Sequence, residues 1–177
     1  LIHQDFTIGG MSVMIEIYAG RVEISSPGDP LVPVDRFIDG YQARNERLAG
    51  FMRRFAICEQ KSSGVDKVIQ AIEAQQLPAP DFHPAFRRTE AVLWGPKPFD
   101  DMDREDRVRA CYQHCCLLWV AKQRMTNHSL RERFQLPEQK AAAVSRVIGA
   151  TVEQRLIKPD EGAGESKKHA RYRPWWG

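Results

Sequence analysis

The sequence predicts an α+β protein with a sheet-containing N-terminal part and a helical C-terminal part. Apolar and polar residues alternate over 13–18 and again over 21–25, as they do in the two strands of a β-hairpin. After residue 104 the apolar residues recur at helical spacing instead. Between these regions, residues 95–101 read G-P-K-P-F-D-D, a composition typical of a linker.

We therefore expect a domain at residues 1–95, a linker at 96–103 and a second domain at 104–177. The chain begins at Leu1 in the middle of a pattern, and we expect it to be a fragment.

The rest of the first domain predicts two helices and one more strand. Residues 34–38 can start a short helix, and residues 44–55 and 65–75 carry apolar side chains at helical spacing. Residues 86–94 predict the last strand. The side chains expected on one side of the 44–55 helix are Leu48, Phe51, Met52 and Phe55.

The second domain predicts a long helix followed by a helix-turn-helix. The long helix spans 104–124, and a short helix then begins near Asn127 or Ser129, either of which can cap a free backbone N–H. Pro137 interrupts the pattern, and a longer helix is expected at 138–154. The apolar face expected on the long helix comprises Val108, Cys111, Tyr112, Cys115, Leu118 and Trp119.

The helix-turn-helix is typical of proteins that place a helix in the DNA major groove, because its second helix is small and basic outside. The same pattern is also typical of plain core helices. A strand at 156–159, a polar loop at 160–166 and a basic segment at 167–176 favour the first interpretation, since they match a wing that contacts phosphates. The candidate DNA contacts are Lys140, Ser145 and Arg146 on the second helix and Lys167, Lys168, Arg171 and Arg173 on the wing.

These candidates have different expected roles. Arg146 is expected at a base edge or a phosphate, and Ser145 at a phosphate or in packing. The wing cations are expected at phosphates, the alternative being a solvated basic strand. Trp175 and Trp176 are expected to pack on the long helix.

Charge and composition limit the function classes. Residues 1–100 carry 11 Lys and Arg against 13 Asp and Glu, whereas residues 101–177 carry 15 against 10. The basic excess therefore lies with the helix-turn-helix. No apolar run approaches the ~20 residues of a membrane helix, and the four cysteines have no C-x-x-C spacing. We expect buried, reduced thiols and no metal.

Three segments resemble a bacterial family. Residues 1–10 (LIHQDFTIGG), residues 21–28 (RVEISSPG), and Arg44-Asn45 followed by residues 59–69 are similar to motifs of RecG-related helicases. The same motifs occur in related transcriptional regulators that have an AlbA-like (Schlafen-type) N-terminal domain. The chain resembles the C-terminal part of these proteins.

The tail is also similar to this family, because residues 130–134, Ser145-Arg146 and residues 170–176 resemble its terminal winged-helix domain. The resemblance covers nearly the whole chain. It implies that residues 1–95 form the later portion of a GHKL-like α/β sandwich, and that a winged helix-turn-helix domain follows.

ATP hydrolysis is not expected of this chain from the resemblance. In GHKL ATPases a Glu and an Asn on the helix before the His-containing segment polarise water and hold Mg²⁺, and that helix would lie upstream of Leu1. No Asp stands within residues 25–28 to read adenine. The phosphate loop retains only Ser62, Ser63 and Gly64 as candidate cofactor-binding residues.

No helicase motor is expected, since the G-K-[ST] phosphate loop is absent from the sequence. We assign no cofactor to this chain, with ATP or another nucleotide as the candidate in a longer protein. The sequence favours a cytoplasmic DNA-binding transcriptional regulator, with double-stranded DNA as partner, a homodimer as a candidate assembly and no membrane partner. Its α/β domain would sense a ligand or mediate self-association.

Two alternatives stay open. The chain can instead belong to an ATP-dependent, helicase-related enzyme, or its winged helix can serve protein–protein contacts alone.

Overall fold

The computed structural model describes residues 2–57, 64–160 and 170–177. The chain divides into two compact units. Unit 1 comprises residues 1–68 and 80–95, and unit 2 comprises residues 69–79 and 96–177. The expected boundary at residue 95 is close to this division, but residues 69–79 group with unit 2.

The architecture of unit 1 is a four-stranded antiparallel sheet with helices, so the predicted α+β class is confirmed. The strand order is β1-β2-β4-β3. The strands are β1 (Met14–Tyr18), β2 (Arg21–Pro27), β3 (Asp81–Ala85) and β4 (Arg88–Trp94). The helices are α1 (Glu46–Arg54) and the first part of α2 (Gly64–Ala74), whose residues from Ile69 onward group with unit 2.

The predicted hairpin is present as β1 and β2. Its register continues across the sheet, where Ile15 lies opposite Ile24, Ile24 opposite Ala91, and Ala91 opposite Phe82. Residues directly opposite share a face, so these four form one apolar row. The segment predicted as a helix start at 34–38 is a single 3₁₀ turn, Val34–Arg36.

Two expectations for unit 1 need correction. The predicted strand 86–94 begins only at Arg88, because residues 86–87 form a turn in which Arg87 has φ 55°. On α1 the expected apolar side is not buried: Phe51 and Phe55 are 59% and 62% exposed, with ring centroids 4.8 Å apart. Ala49 is the buried residue of that helix.

Unit 2 contains the end of α2, three further helices and two short strands in its described residues. Met125 and Tyr172 form an additional antiparallel bridge, with Tyr172 N donating to Met125 O at 2.9 Å. The elements are α3 (Arg104–Val120), α4 (Asn127–Arg133), α5 (Ala141–Glu153), β5 (Ile157–Pro159) and β6 (Tyr172–Pro174), β5 and β6 being antiparallel.

The core of unit 2 follows the predicted periodicity. α3 packs on α5 and β6, and α4 packs on α5. Most of the apolar face predicted for the long helix is buried, and so are Val144, Val147, Ile148 and Thr151 of α5. The fully buried side chains there include Val108, Cys111, Cys115, Leu130, Val144, Thr151 and Ile157.

The segment expected to be an open linker, residues 96–103, is folded. It contains a 3₁₀ turn, Phe99–Asp101, and buries Phe99 and Met102. The Phe99 ring stands edge-on to Phe134 with centroids 4.9 Å apart. The Gly and Pro content of residues 95–101 indicates irregular backbone, which is compatible with either a packed or an open segment.

The expected second helix of the helix-turn-helix also differs at its start. Residues Glu138–Lys140 form a 3₁₀ turn, and the α-helix begins at Ala141. Lys140 therefore precedes α5 and is not on its outer face. No helix in the described residues is both long and apolar enough to cross a bilayer.

Candidate functional sites

The first turn of α4 is capped by its neighbours. Thr126 Oγ1 accepts the N–H of Ser129 at 3.1 Å, and Ser129 Oγ accepts the N–H of Thr126 at 3.0 Å. This reciprocal capping box satisfies two backbone donors. Of the two caps suggested by the sequence, Ser129 takes part as the partner of Thr126, whereas the side chain of Asn127 is directed to another element.

Asn127 joins α4 to α5. Its Nδ2 donates to Ala141 O and to Ser145 Oγ, both at 3.0 Å, and its Oδ1 accepts from Arg131 Nε at 3.2 Å. The amide orientation is fixed chemically, because a carbonyl only accepts and a guanidinium only donates. Asn127 thus holds the first turns of α5 against α4.

The outer face of α5 presents small residues and one cation. Ser145 and Arg146 are exposed. Within residues 2–57, 64–160 and 170–177, the Arg146 guanidinium has no ion pair or hydrogen bond. A Cβ on Gly149 would meet nothing within 4 Å, so this face is sterically open at its middle.

The other predicted DNA contacts have different surroundings. Lys140 Nζ pairs with the Asp100 carboxylate at 3.1 Å. Arg173 pairs with Asp160 at 3.6 Å and donates to Gly177 O at 2.5 Å. Arg171 is exposed. Lys167 and Lys168 lie outside the described residues.

The tail is attached to the long helix through aromatic contacts. Trp176 Nε1 donates to Tyr112 Oη at 3.2 Å, and Gly177 lies against the Trp119 ring. Arg124 stacks over Trp119 at 4.1 Å and pairs with Asp160 at 2.6 Å. Of the two tryptophans expected to pack on this helix, Trp176 does so, and Trp175 is 44% exposed.

A buried ionic cluster, absent from the sequence-based prediction, lies inside unit 2. The Glu73 carboxylate accepts from His114 Nδ1 at 3.0 Å and lies 3.4 Å from Arg133 Nε. Arg133, whose side chain is 1% exposed, also donates to Leu77 O at 2.8 Å. Burial lowers the pKa of Arg133, and the Glu73 charge opposes that shift.

A signal for this cluster exists in the sequence. Arg133 stands between Leu130 and Phe134, three residues after one buried apolar side chain and directly before another. A cation on the apolar side of a short helix indicates a buried partner.

Unit 1 contains a pocket of about 460 Å³ on the apolar row of its sheet. Ile24, Ala91 and Phe82 line its floor, and the first residues of α2, Gly64 and Val65, line its wall. Its polar lining includes Arg44, Arg53, Asp29 and Glu90. Of the candidate cofactor-binding residues, Gly64 lies at this pocket, and Ser62 and Ser63 fall outside the described residues.

Arg44 organises the rim of this pocket. Its guanidinium donates to the carbonyls of His3 and Asp29 and pairs with Asp5 at 3.2 Å. Hydrogen bonds from Thr7 hold the pKa of Asp5 below its ordinary value, and burial lowers the pKa of His3. Arg44 thus ties residues 1–10 to Asp29, the residue that directly follows the 21–28 segment.

The described residues contain no group of three or more His, Cys, Asp or Glu side chains suited to a metal ion. Cys111, Cys115 and Cys116 are buried, and none of them is in a disulfide within the described residues. Burial raises the pKa of Cys111 to about 12, so its protonated form prevails at neutral pH.

Residues 10–93 match the family described as "Putative ATP-dependent DNA helicase recG C-terminal". This range covers the four strands of unit 1 except Trp94, and slightly less than half of the chain. The match supports a RecG-related, GHKL-like domain in this part of the protein, as the resemblance implied.

No curated protein matches the chain. The crystal structure of the DIP2311 protein from Corynebacterium diphtheriae is similar over 98% of this chain, with 14% sequence identity and a TM-score of 0.49. The chain spans 48% of that protein, about half of its length.

Proposed function

We propose that this chain is part of a transcriptional regulator that binds double-stranded DNA through unit 2. The order α3, Met125 bridge, α4, α5, β5, β6 is the order of a winged helix. In such folds the helix corresponding to α5 enters the major groove and the β5–β6 connection forms the wing. The observation that carries the proposal is the open outer face of α5, with its exposed, unpaired Arg146 among the described residues.

The predicted DNA contacts fall into two groups, according to whether the side chain already has an ion pair. Arg146 and Arg171 are exposed and are assigned to DNA in the proposal. Lys140 and Arg173 already pair with Asp100 and Asp160, and each would have to exchange that carboxylate for a phosphate. Their expected contribution is therefore smaller. Lys167 and Lys168 remain candidate phosphate contacts.

The test is a fluorescence anisotropy titration of a labelled duplex over a range of salt concentrations. Arg146→Ala is compared with Arg47→Ala, which removes an equally exposed helical arginine from unit 1. Losing one phosphate contact should lower the slope of log K against log salt by about 0.9. Equal affinities and slopes for the two variants would contradict the proposal, as would wild-type binding that does not depend on salt.

A winged helix that contacts only proteins predicts a different result. DNA affinity would then be weak and unaffected by Arg146→Ala, whereas binding of a protein partner would be lost.

The pocket supports a second candidate function, nucleotide binding by unit 1. Its lining includes the apolar side chains Ile24, Ala91 and Phe82, and Gly64 and Val65 place the N-terminus of α2 at its wall. Free N–H groups of a first helical turn favour a phosphate. Arg53 adds a cation that has no ion pair within the described residues. We propose nucleotide binding at this pocket and no reaction of the bound nucleotide.

Thermal unfolding with ATP, ADP or phosphate alone tests this second candidate. A nucleotide at 100 times its dissociation constant should stabilise the protein by about 2.7 kcal/mol. Ala91→Trp, which fills the pocket floor, should abolish the stabilisation. An equal shift for wild type and Ala91→Trp would place the nucleotide elsewhere.

A further inference from the structure

We infer that Ser145 is a specificity-determining hydrogen-bond donor of the DNA-binding face, and that Asn127 is the positioning residue that keeps its hydroxyl hydrogen pointing outward. This inference rests on the proposed DNA binding by unit 2. It assigns Ser145 to a base edge, a role that neither its exposure nor its sequence pattern distinguishes from a phosphate contact.

The Ser145 hydroxyl oxygen accepts a hydrogen bond from α4. Asn127 Nδ2 donates to Ser145 Oγ at 3.0 Å, so the oxygen serves as an acceptor toward α4. Within the described residues the hydroxyl donates to no acceptor. Its hydrogen is therefore available to a ligand.

Asn127 also occupies the carbonyl to which the Ser145 hydroxyl would otherwise donate within α5. A hydroxyl inside a helix commonly donates to the carbonyl four residues earlier, as Thr151 Oγ1 does to Val147 O at 2.8 Å in the same helix. For Ser145 that carbonyl is Ala141 O. Asn127 Nδ2 already donates to it at 3.0 Å. The same amide thus occupies both the oxygen of Ser145 and its usual acceptor.

The free hydroxyl hydrogen of Ser145 can face an approaching DNA surface. Ser145 lies on the exposed face of α5, three residues after Ala142 and four before Gly149, and a Cβ on Gly149 would meet nothing within 4 Å among the described residues. Small neighbours let a helix come close enough for a short side chain to reach the groove floor. A hydroxyl donor in the major groove suits purine N7, guanine O6 or thymine O4.

The Arg131 side chain completes the arrangement, since its Nε donates to Asn127 Oδ1 at 3.2 Å. This bond prevents the amide from rotating by 180°, because the flipped amide would face a guanidinium with its own donors. The donor direction at Ser145 therefore depends on three side chains from two helices.

The experiment is selection of preferred sequences from a randomised duplex pool by the full chain, followed by affinity measurements on a selected and an unselected duplex. Ser145→Ala should relax the preference at one base position and weaken binding to the selected duplex by about 3- to 10-fold. Binding to the unselected duplex should stay unchanged, since no charge is removed.

Asn127→Ala provides the readout that a purely structural role would not produce. Ser145 remains present, but its hydroxyl becomes free to donate to Ala141 O, so the same base position should lose its preference. The double variant should lose no more than either single variant. Gln139→Ala, an exposed change just before α5, serves as the control and should leave the selected sequence unaltered.

Each remaining outcome overturns the inference. Equal weakening on both duplexes by Ser145→Ala would show a phosphate contact, and an Asn127→Ala variant that keeps the base preference would remove its positioning role. A wild-type chain that binds no duplex would overturn the proposed function as well, which separates the two failures. Thermal midpoints of all variants confirm that the compared chains are folded.

Discussion

The buried ionic cluster of unit 2 allows a quantitative prediction for Glu73→Gln. This change keeps the size of the side chain and an oxygen that can accept from His114, but it removes the only carboxylate that the described residues place beside Arg133. The Arg133 side chain is 1% exposed, so water cannot replace the lost charge. Breaking a buried pair from one side costs roughly 3–5 kcal/mol.

The lower end of that range applies here. The Glu73 side chain is 15% exposed, and Arg133 retains its hydrogen bond to Leu77 O. We expect a loss of about 3 kcal/mol, which for a unit of about a hundred residues lowers Tm by roughly 12–24 °C. Thermal unfolding followed by circular dichroism, with the fluorescence of Trp119 and Trp176 as a probe inside unit 2, measures the change.

Arg133→Met is the matched comparison. It removes the buried cation, keeps most of the apolar stem, and leaves a partly exposed carboxylate beside His114. We expect a smaller cost, about 1–2 kcal/mol, and the double variant Glu73→Gln with Arg133→Met should be more stable than Glu73→Gln alone. A loss below about 1 kcal/mol for Glu73→Gln, or a larger loss for Arg133→Met, would refute the reasoning.

Two further predictions concern single residues. Burial opposes ionisation of Asp106, but the Lys97 hydrogen bond and the Arg109 charge outweigh it and hold its pKa below the ordinary 3.8. Because the folded pKa is depressed, the stability advantage of wild type over Asp106→Asn should be full at neutral pH and should disappear as pH falls through 3.8 and below, as measured by urea unfolding. Gly28 has φ 107° and a Cβ there would lie 2.8 Å from Asp5 Cβ, so Gly28→Ala should lower Tm, whereas Gly9→Ala, with nothing within 4 Å, should change it little in the same thermal scan.

The strands of unit 1 show what alternation can and cannot predict. β1 and β2 alternate cleanly and were predictable from sequence. β3 reads D-F-H-P-A, with a proline inside it, and gives no strand signal. Its position at the edge of the sheet explains why this sequence is tolerated, since an edge strand can leave one row of backbone groups unpaired.

Helical spacing likewise predicts the apolar side of a helix but not whether that side is covered. On α3 the expected residues Val108, Cys111 and Cys115 are buried. On α1 the same spacing places Phe51 and Phe55 on the surface. Burial depends on which element packs against the helix, and a local pattern contains no information on that partner.

The position of the candidate DNA-binding face could be predicted from the sequence, but the ion pairs and hydrogen bonds of its side chains could not. Helical spacing places Arg146 outward, and Arg146 is exposed. For Ser145 the sequence leaves a phosphate contact and packing open, and the structure has it exposed. The pairing of Lys140 with Asp100 spans forty residues and could not be predicted from spacing. Asn127 was interpreted as a cap because short polar residues before a helix commonly have that role. Its contact with α5 depends on the angle between two helices, which the sequence pattern does not specify.

Under the proposed function, the distribution of charge determines how affinity and specificity for DNA are divided between α5 and the wing of unit 2. Arg146 and Arg171 are the exposed cations assigned to DNA among the described residues, so they account for a salt slope of about two. A slope near four would require two more cations at phosphates, drawn from Lys140, Lys167, Lys168 and Arg173. The neutral donor at Ser145 adds nothing to this slope. Specificity from α5 should therefore persist at salt concentrations that remove most of the contribution of the wing.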